Sequence, residues 1–228
     1  MRKPINYFIT NMAMSDLLYP IFVFPRVLKE LFVESWNITG PFGQALCKLV
    51  FFLPDVSTVV SVQSLILIAV DRFGTVVFPF RSPFIGSKLC LYFILFTWIV
   101  AMAVLSPYFF AIKVVEYPEG LRICQGRWNE AFGESSSEAH YFLALYVVFY
   151  YIPIALLIIL YSVIFYKLKS QKRPGEQSAN ADELLTKRNR RVLKMAIAIV
   201  VGFALCWVPW SIINLLIYFE WKIGRAHV

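Results

Sequence analysis

Residues 59–81 read VVSVQSLILIAVDRFGTVVFPFR, and the run from 59 to 70 carries no charge. An acid and a base, Asp71 and Arg72, stand side by side where this apolar run stops. A bilayer core about 30 Å thick needs roughly 20 mostly apolar residues for each crossing helix. The stretch therefore predicts a membrane-spanning helix with a charged pair at its end, and the function of that pair becomes the first question.

The composition extends this prediction to the rest of the chain. Hydrophobic residues make up 59% of the 228 positions and charged residues 16%, whereas a soluble domain carries about a quarter charged residues. A β-barrel is disfavoured because its strands alternate in polarity instead of staying apolar. We therefore predict an all-α membrane protein with five spans. They lie at about 5–33, 44–76, 86–111, 139–168 and 188–220.

The formal charge of +8 is concentrated in alternate connections between these spans. The positive-inside rule assigns the basic connections to the cytoplasm. We therefore predict a multi-pass protein of the plasma membrane whose amino end is cytoplasmic and whose acidic third connection faces outward. This distribution disfavours a nucleic-acid partner. Contact with the lipid bilayer is enough to explain the basic face, and a further partner-binding role for that face stays open.

Two of the four cysteines, Cys47 and Cys124, fall on the outer side of this topology, where an oxidising compartment would let them pair. Cys90 and Cys206 fall within apolar spans, where a small buried thiol is the usual state. The chain has only two histidines, so a zinc site is not expected. Asn37 begins an N-x-T glycosylation triplet in a predicted outer loop, although so short a pattern often arises by chance.

A carboxylate near the middle of a membrane helix is costly, so Asp16 needs a partner, an ion or a proton. A neutral, hydrogen-bonded Asp16 is the simpler alternative. Prolines also occur within several of the predicted spans, where each frees a backbone carbonyl. The prolines that we expect to kink helices are Pro20, Pro25, Pro107, Pro153 and Pro209.

Together, these features resemble the rhodopsin-like class of G-protein-coupled receptors from residue 1 to about 221. Asn11 and Asp16 match the N…D pair of that family's second helix. Cys47 lies 25 residues before Arg72, which is the family's interval between its disulfide cysteine and the arginine of its D/E-R-Y motif. Further matches are Trp36, Phe42 and Gly43 before Cys47, Trp98 in helix four, Pro153 and Tyr161 in helix five, and FALCWVP from Phe203 to Pro209 in helix six.

The resemblance implies that the five spans are helices two to six, so we expect the chain to be a fragment that lacks helices one and seven. An opsin would carry its retinal lysine in helix seven, so retinal stays open, and no other cofactor is expected. Residues 223–228 read IGRAHV and can be written ATC GGA AGA GCA CAC GTN, which resembles a sequencing-library adapter read in frame. We hypothesise that this tail is not native.

The resemblance also implies a role for the charged pair. Asp71 and Arg72 would form a latch that holds the receptor inactive, and a released Arg72 would meet the α-subunit of a heterotrimeric G protein. A plain ion pair at the membrane interface is the alternative. Phe73 stands where most family members have Tyr, which removes a hydroxyl but keeps the ring. The other implied coupling residues are Tyr161, which would support Arg72, and Pro79 and Phe80, for which membrane anchoring is the alternative.

Two further sites are implied by the same resemblance. Asp16 and Ser61 match two positions of the family's sodium site, and sodium is the only metal that we consider. The activation switch would be a cluster with two discrete packings, although ordinary core packing of the same residues is the alternative. The residues of this switch are Val62, Pro153, Phe203, Trp207 and Pro209.

The ligand class follows by analogy and not from site chemistry. Receptors of biogenic amines carry an Asp where Pro54 stands here, and Asp55 points about 100° away on an ideal helix. The loop from about 112 to 138 resembles the strand-rich loop of peptide receptors. We therefore predict a receptor that binds an extracellular neuropeptide and activates a G protein, with an opsin or other non-peptide receptor as the alternative.

Two classes outside the receptors are alternatives. A transporter or channel could also use Asp16 and several prolines near the midplane of the bilayer. It would need inverted repeats or a polar stripe along a pore, and the sequence has neither. A membrane enzyme would need clustered catalytic side chains, yet His140 is solitary, so no enzyme activity is expected.

Overall fold

The computed structural model describes residues 4–33, 35–78, 86–133, 138–170 and scattered positions between 194 and 216. Every described position between 194 and 216 is helical. The helices are α1 (Pro4–Phe32), α2 (Gly40–Val77), α3 (Ser87–Leu105), α4 (Tyr108–Ala111), α5 (Trp128–Phe132), α6 (Glu138–Tyr146) and α7 (Ile152–Ser170). Strands β1 (Ile112–Glu116) and β2 (Arg122–Gly126) lie between α4 and α5, and a π-helical segment, Val147–Tyr151, joins α6 to α7.

Four helical stretches of the described residues are long and apolar enough to cross a membrane, and they coincide in place with four of the five predicted spans. They are Asn6–Lys29, Gly40–Val77, Lys88–Ala111 and Glu138–Lys169. The predicted fold class, an all-α membrane protein, is confirmed. The fifth predicted span lies mostly outside the described residues, and so does the tail 223–228.

Two of these stretches are interrupted at places where we predicted continuous helix. The third breaks at a turn, Ser106–Pro107, and Pro107 then precedes α4. Proline has no N–H to give and its ring collides with the preceding turn, so Pro107 divides this helix instead of only kinking it. In the fourth stretch, the π-helical segment lies directly before α7, which carries Pro153 in its first turn. π-helical turns of this kind are often found at functional sites.

Helix α2 differs from the other spans in its surroundings. In its most apolar part 67% of the positions are buried, compared with 22% in each of the other three spans. Those three expose large apolar side chains, such as Leu17 and Phe24 of α1 and Phe96 of α3. Exposed apolar surface of this kind is what a helix in contact with lipid tails presents. Among the four described spans, α2 is therefore the most buried, and the other three carry the more exposed apolar surface.

The chain divides into two compact units. One comprises residues 9–64 and 91–142, and we call it the disulfide unit because it contains both bridged cysteines. The other comprises residues 1–8, 65–90 and 143–228, and we call it the arginine unit because it contains Arg72.

In the disulfide unit, strands β1 and β2 form an antiparallel hairpin in which Val114 is paired with Cys124. The disulfide joins Cys124 to Cys47 of α2, with 5.7 Å between their Cα atoms. The side-chain amide of Gln44 covers the outer edge of β1, because it accepts from Val114 N at 3.3 Å and donates to Val114 O at 3.5 Å. On the edge of β2, Trp36 N donates to Arg122 O at 2.6 Å. These contacts satisfy backbone groups that an edge strand leaves open.

Helix α2 begins four residues earlier than predicted, so Gly43 lies in its first turn and not in a loop. A Cβ atom at Gly43 would lie 2.1 Å from the backbone oxygen of Ile38. The loop from Trp36 to α2 therefore packs against a position where only glycine fits, which gives a physical reason for glycine in this part of the motif.

Replacing Gly43 with alanine should displace this loop and lower the amount of folded protein at the cell surface, because forcing an atom into a packed site costs about 1–3 kcal/mol. Surface immunostaining of the full-length protein measures the effect. Gly86→Ala is the matched control, since a Cβ atom there meets nothing within 4 Å. Equal surface amounts for the two variants would contradict the prediction.

Candidate functional site

The charged pair of the arginine unit lies near the carboxyl end of α2. Nη2 of Arg72 donates to Oδ2 of Asp71 at 2.6 Å. Asp71 is 3% exposed, and the side chain of Arg72 is 20% exposed. Successive residues of an α-helix point about 100° apart, so the long arginine side chain must fold back to reach its neighbour. Removing one partner of such a shielded pair would leave the other charge uncompensated, which is costly.

Tyr161 of α7 is also in the arginine unit. It is buried and lies within electrostatic range of Arg72. Among the residues that the structure describes, neither the Tyr161 hydroxyl nor Nε of Arg72 has a hydrogen-bond partner. Buried donors of this kind normally have partners. The structure therefore brings Tyr161 near the charged pair, as a supporting role would require, and leaves two donors that can take a further acceptor.

The end of α2 beyond Arg72 carries two aromatic rings. Phe73 meets Phe78 edge-on, with 6.4 Å between the ring centroids, and Phe78 is 44% exposed. The Thr75 hydroxyl donates to the backbone oxygen of Arg72 at 2.9 Å. The ring of Phe73 therefore has an aromatic partner. The predicted coupling residues Pro79 and Phe80 lie outside the described residues.

In the disulfide unit, Asp16 of α1 accepts a hydrogen bond from the Ser61 hydroxyl of α2 at 2.6 Å. The structure thus brings together the two residues assigned to the sodium site. Hard cations such as Ca²⁺ take about six oxygen ligands or more, so these two side chains supply only part of a cation site. Within the described ranges, no three His, Cys, Asp or Glu residues lie close enough to hold a metal ion.

A second polar network in the same unit connects three helices through Asn11. Its Nδ2 donates to the Ser64 hydroxyl at 2.9 Å, and Nε1 of Trp98 donates to its Oδ1 at 2.9 Å. Ser64 also donates to the backbone oxygen of Val60 at 2.8 Å. Asn11 is only 9% exposed, and both ends of its amide are satisfied, as a buried amide requires. Asn11 and Trp98 therefore take part in one buried hydrogen-bond network that connects α1, α2 and α3.

The sequence interpretation named Ser61 but missed Ser57 and Ser64 on the same face of α2. Ser57 donates to the backbone oxygen of Ser15, and Ser61 and Ser64 bind the side chains of α1 already described. Positions 57, 61 and 64 are four and three residues apart, so they lie on one face of α2. A polar stripe in an otherwise apolar helix was the signal that could have identified the contact with α1.

Replacing Trp98 with phenylalanine should destabilise the protein by about 2 kcal/mol, because Oδ1 of the buried Asn11 loses its donor. Thermal unfolding of the full-length protein in lipid nanodiscs measures the change as a decrease in Tm. Tyr92→Phe on the same helix is the control, because Tyr92 is 70% exposed. A Trp98→Phe variant as stable as this control would argue against the network.

Asp55 lies next to Pro54, where amine receptors carry their aspartate, but it is engaged elsewhere. The Tyr108 hydroxyl donates to Oδ2 of Asp55 at 2.6 Å, and Arg26 lies within electrostatic range of the same carboxyl group. Pro54 itself is buried. Asp55 is therefore already bound by Tyr108 of the same unit, and the prediction that the ligand is not an amine stays a prediction.

The hairpin is tied to α5 by ion pairs. Lys113 of β1 donates to Glu130 of α5, and Nη1 of Arg127 lies 3.5 Å from the same carboxyl group. The hydrogen bond from Lys113 lowers the pKa of Glu130 below its ordinary value. Trp128 is buried against Tyr141 of α6, with 4.7 Å between ring centroids. The loop is therefore an ordered element that is attached at several points within the disulfide unit.

The residues of the predicted activation switch are divided between the two units and positions outside the described residues. Val62 is buried in the disulfide unit and Pro153 is buried in the arginine unit. Phe203 and Trp207 lie outside the described residues, whereas Pro209 is helical and exposed. Their joint role as an activation switch stays a prediction. The predicted glycosylation site, Asn37, is exposed in the loop before α2, and its modification also stays a prediction.

Helix α2 carries a disulfide-bound hairpin at one end and an Asp-Arg pair near the other. A comparison with known families agrees with this combination over nearly the whole chain. Residues 1–227 match the family described as 7 transmembrane receptor (rhodopsin family). The chain belongs to this family. The predicted resemblance is thereby confirmed, and membership supports a receptor over a transporter or a channel. The members of the family are receptors and not enzymes.

The relatives of this rhodopsin-family chain include receptors named for peptides. The RYamide receptor of Drosophila melanogaster is 30% identical over 226 residues, which cover 95% of this chain and 46% of that receptor. The QRFP-like peptide receptor of Branchiostoma floridae is 30% identical over 222 residues, covering 95% and 56%. Human neuropeptide FF receptor 1 is 30% identical over 235 residues, covering 98% and 53%. The chain thus spans about half the length of these relatives.

Proposed function

We propose that the protein containing this chain is a plasma-membrane receptor that binds an extracellular peptide and activates a cytoplasmic heterotrimeric G protein. The observation that carries the proposal is the shielded ion pair of Asp71 and Arg72 near the carboxyl end of α2. The relatives named above support a peptide over a retinal chromophore or an amine. We orient the receptor by the positive-inside rule. The amino end of the chain is then cytoplasmic, and Cys47, Cys124 and Asn37 are extracellular.

The ion pair gives the receptor a switch at its cytoplasmic side. In the inactive state Arg72 is held by Asp71, and in the active state it leaves the carboxylate to bind backbone or side-chain acceptors of the G protein. A bound peptide can favour the second state only as far as it binds that state more tightly than the first. Tyr161 would support the released arginine, while Phe73, Pro79 and Phe80 would contribute apolar contacts to the same docking surface.

The proposal also gives roles to the residues of the predicted activation switch and of the predicted sodium site. Val62, Pro153, Phe203 and Trp207 would form the element that changes packing when the peptide binds, with Pro209 bending its helix. A sodium ion bound to Asp16 and Ser61 would favour one of the two packings. Both roles rest on the family resemblance.

The test uses the complete receptor in cell membranes with a purified heterotrimeric G protein. An RYamide peptide and a set of synthetic neuropeptides are added, and the exchange of guanine nucleotide on the G protein is measured. We expect at least one peptide to accelerate exchange, and the same peptide with a scrambled sequence to have no effect. Light-dependent exchange after addition of retinal, with no response to any peptide, would instead favour an opsin. Solute flux without nucleotide exchange would reject a receptor altogether.

A further inference from the structure

The hairpin of the disulfide unit has a strand edge without a neighbouring strand. Among the residues that the structure describes, its sheet consists of β1 and β2 alone. The outer edge of β1 is the side that faces away from β2. An edge of this kind can pair with another peptide chain. No proposed step of G-protein activation uses this edge, so its role has to be explained separately.

The register of the hairpin determines which backbone groups point outward from β1. Tyr117, which follows β1, donates its N–H to the backbone oxygen of Leu121 at 2.7 Å. Hydrogen-bonded and non-hydrogen-bonded pairs alternate along an antiparallel ladder. Counted back from Tyr117, both Glu116 and Val114 belong to non-hydrogen-bonded pairs. Their N–H and C=O groups therefore point away from β2, along the outer edge.

Gln44 already occupies the place of one residue of a third strand. Its side-chain oxygen accepts from Val114 N at 3.3 Å, and its side-chain nitrogen donates to Val114 O at 3.5 Å. A residue of a neighbouring antiparallel strand would exchange the same two bonds with Val114. Both distances exceed the usual range of about 2.7–3.2 Å, and Gln44 is exposed. A peptide backbone can therefore displace this amide and make shorter bonds.

Glu116 offers a second pairing position on the same edge. It lies two residues after Val114, it is exposed, and no described residue binds its outward backbone groups. Residues two apart on one strand edge have the spacing at which an added strand pairs. The edge of β2 differs, because Ser35 and Trp36 already bind the backbone of Arg122 there. The open edge is therefore that of β1.

A pocket beside this edge leaves room for an added strand. Its volume is about 260 Å³, and it is lined by residues 38–40, Gln44, Val114, Glu116 and Arg122. Residues 38–40, Gln44 and Glu116 are exposed, so the pocket can be reached from the solvent. Sites that enclose a drug-sized ligand measure about 300–1,000 Å³. The pocket therefore accepts a short segment of a peptide, and the rest of the peptide would lie outside it.

The charges at this edge balance each other. Nε of Arg122 lies 3.2 Å from Oε1 of Glu116, and the two side chains are 37% and 64% exposed. An exposed ion pair of this kind contributes little energy, and one charge of each sign gives no net attraction for an acidic or a basic group. Recognition at this edge therefore rests on main-chain hydrogen bonds, as it does where a peptide adds a strand to a sheet.

We propose that the extracellular peptide binds in an extended conformation to the outer edge of β1, as a third strand of the hairpin sheet. The proposal deepens the proposed function, on which it rests, by assigning the backbone of the ligand to named residues. The peptide would replace the Gln44 amide at Val114 and pair with Glu116 two positions further on. A free peptide fits this edge better than a second copy of the chain, because pairing two copies edge to edge would displace both Gln44 amides.

The test measures the exchange of single backbone N–H groups with deuterium and does not depend on signalling. The complete receptor in lipid nanodiscs is used, and fragmentation in the mass spectrometer separates Glu116 from its neighbours. Val115 is the internal reference, because its N–H points toward β2 in this register.

Two probes have the sequence acetyl-Thr-Val-Thr-Val-Thr-amide, whose β-branched residues favour an extended conformation. Each probe carries two backbone N-methyl groups. The one-edge probe is methylated at both valines, so the N–H groups of its three threonines remain on one edge. The two-edge probe is methylated at the central threonine and at the valine after it, which blocks one position on each edge. The probes therefore have the same composition and differ in whether an edge can pair.

We expect the one-edge probe to slow the exchange of the Glu116 N–H about tenfold at about ten times its Kd. The two-edge probe should leave that exchange unchanged, and Val115 should exchange at a constant rate with either probe. Equal protection by the two probes would show that the probe side chains bind and not the backbone. Absence of protection by both probes would show that no strand is added.

Two substitutions on the edge test the pairing further, with binding followed at the Val114 N–H. Glu116→Pro should eliminate binding of the one-edge probe, because the proline ring lies where the outward N–H pointed, whereas Glu116→Ala should keep most of it. Proline is tolerated at such an edge position, and an unchanged exchange rate at Val115 would show that the hairpin is intact. Equal Kd values for the two variants would contradict the pairing.

Gln44→Ala should lower the Kd of the one-edge probe about threefold, read at the Glu116 N–H, because two weak hydrogen bonds no longer compete with the probe. A side chain that contacted the ligand would have the opposite effect when removed. A higher Kd in Gln44→Ala would therefore show that Gln44 is not displaced, and would overturn the proposed replacement.

Other occupants of the edge give different results. Slow exchange of Glu116 before any probe is added would show that another part of the complete receptor already covers the edge. Slow exchange only in nanodiscs that hold two receptors would assign the edge to a second copy. Either result would overturn the proposal.

Failure of this proposal can be distinguished from failure of the proposed function. An RYamide peptide that stimulates nucleotide exchange on the G protein without slowing deuterium exchange at Glu116 would reject only the added strand. If the one-edge probe protects Glu116 but no peptide stimulates nucleotide exchange, only the proposed function is rejected.

Discussion

Arg72→Gln is expected to abolish peptide-stimulated nucleotide exchange, whereas Asp71→Asn is expected to raise the exchange that occurs without peptide. A neutral glutamine at position 72 cannot make the charged contact that Arg72 would make with the G protein. The asparagine removes the carboxylate that holds Arg72 at 2.6 Å. A hydrogen bond to a charged group contributes about 1.5–3 kcal/mol, and 1.4 kcal/mol is a factor of ten in an equilibrium. We therefore expect basal exchange to rise about tenfold.

Both variants leave one shielded charge without its partner, which destabilises a protein by about 3–5 kcal/mol when the pair is fully buried. Exchange rates must therefore be divided by the amount of receptor in the membrane, measured by immunoblot. Asp71→Glu is the matched control, because it keeps the negative charge and should keep basal exchange low. Basal exchange in Asp71→Asn that equals that of the wild type would contradict the latch and leave the pair as an interfacial anchor.

Replacing Cys47 and Cys124 together with serine is expected to remove most folded receptor from the cell surface and to eliminate peptide binding. The bridge joins residues that are 77 positions apart. In the chain-entropy description, a loop of that length gives a stabilisation of about 4.5 kcal/mol. This is an upper figure, because helices already inserted in lipid leave the unfolded chain less freedom to lose. The bridge also holds the hairpin, whose Ile123 and Cys124 line a small pocket beside the disulfide.

Cys90→Ser is the matched control for the disulfide, since Cys90 is a buried cysteine outside the disulfide and its replacement leaves the bridge intact. Surface amount is measured by immunostaining of intact cells, and binding with a labelled form of whichever peptide stimulates exchange. Reduction of the wild-type receptor with a thiol reagent should reproduce the binding loss without any substitution. Normal surface amount and normal peptide binding in the double variant would show that the hairpin keeps its position without the bridge.

The membrane spans and the positions of the motif residues could be predicted from the sequence because both are local properties. An apolar run of about 20 residues needs an α-helix in lipid, whatever its neighbours are, since every backbone polar group must be satisfied within the segment. The interval of 25 residues from Cys47 to Arg72 then identified the disulfide cysteine near one end of α2 and the motif arginine near the other. The contact between Asp71 and Arg72 followed from adjacency.

The contacts between segments distant in sequence were harder to predict. Nothing near Gln44 indicates that its amide would bind the edge of a strand 70 residues later, and the partners of Asn11 depend on how α1 and α2 pack. The small pocket beside the disulfide combines residues of α1, α2 and β2 with the loop after α1, so no single stretch of sequence carries its pattern. The break at Pro107 was foreseen only as a kink, because a proline does not by itself determine whether the helix resumes in the same direction.

The π-helical segment Val147–Tyr151 has a consequence for comparing this receptor with its relatives. A turn of this kind accommodates one residue more than an α-turn, so side chains on its amino-terminal side are rotated by about 100° from where an uninterrupted helix would carry them. An alignment with a relative that lacks the segment therefore needs a one-residue gap between Tyr146 and Pro153. Without that gap, Tyr141 and Phe142 would be equated with residues on the wrong side of the helix, and peptide contacts inferred from the relative would be assigned to the wrong side chains.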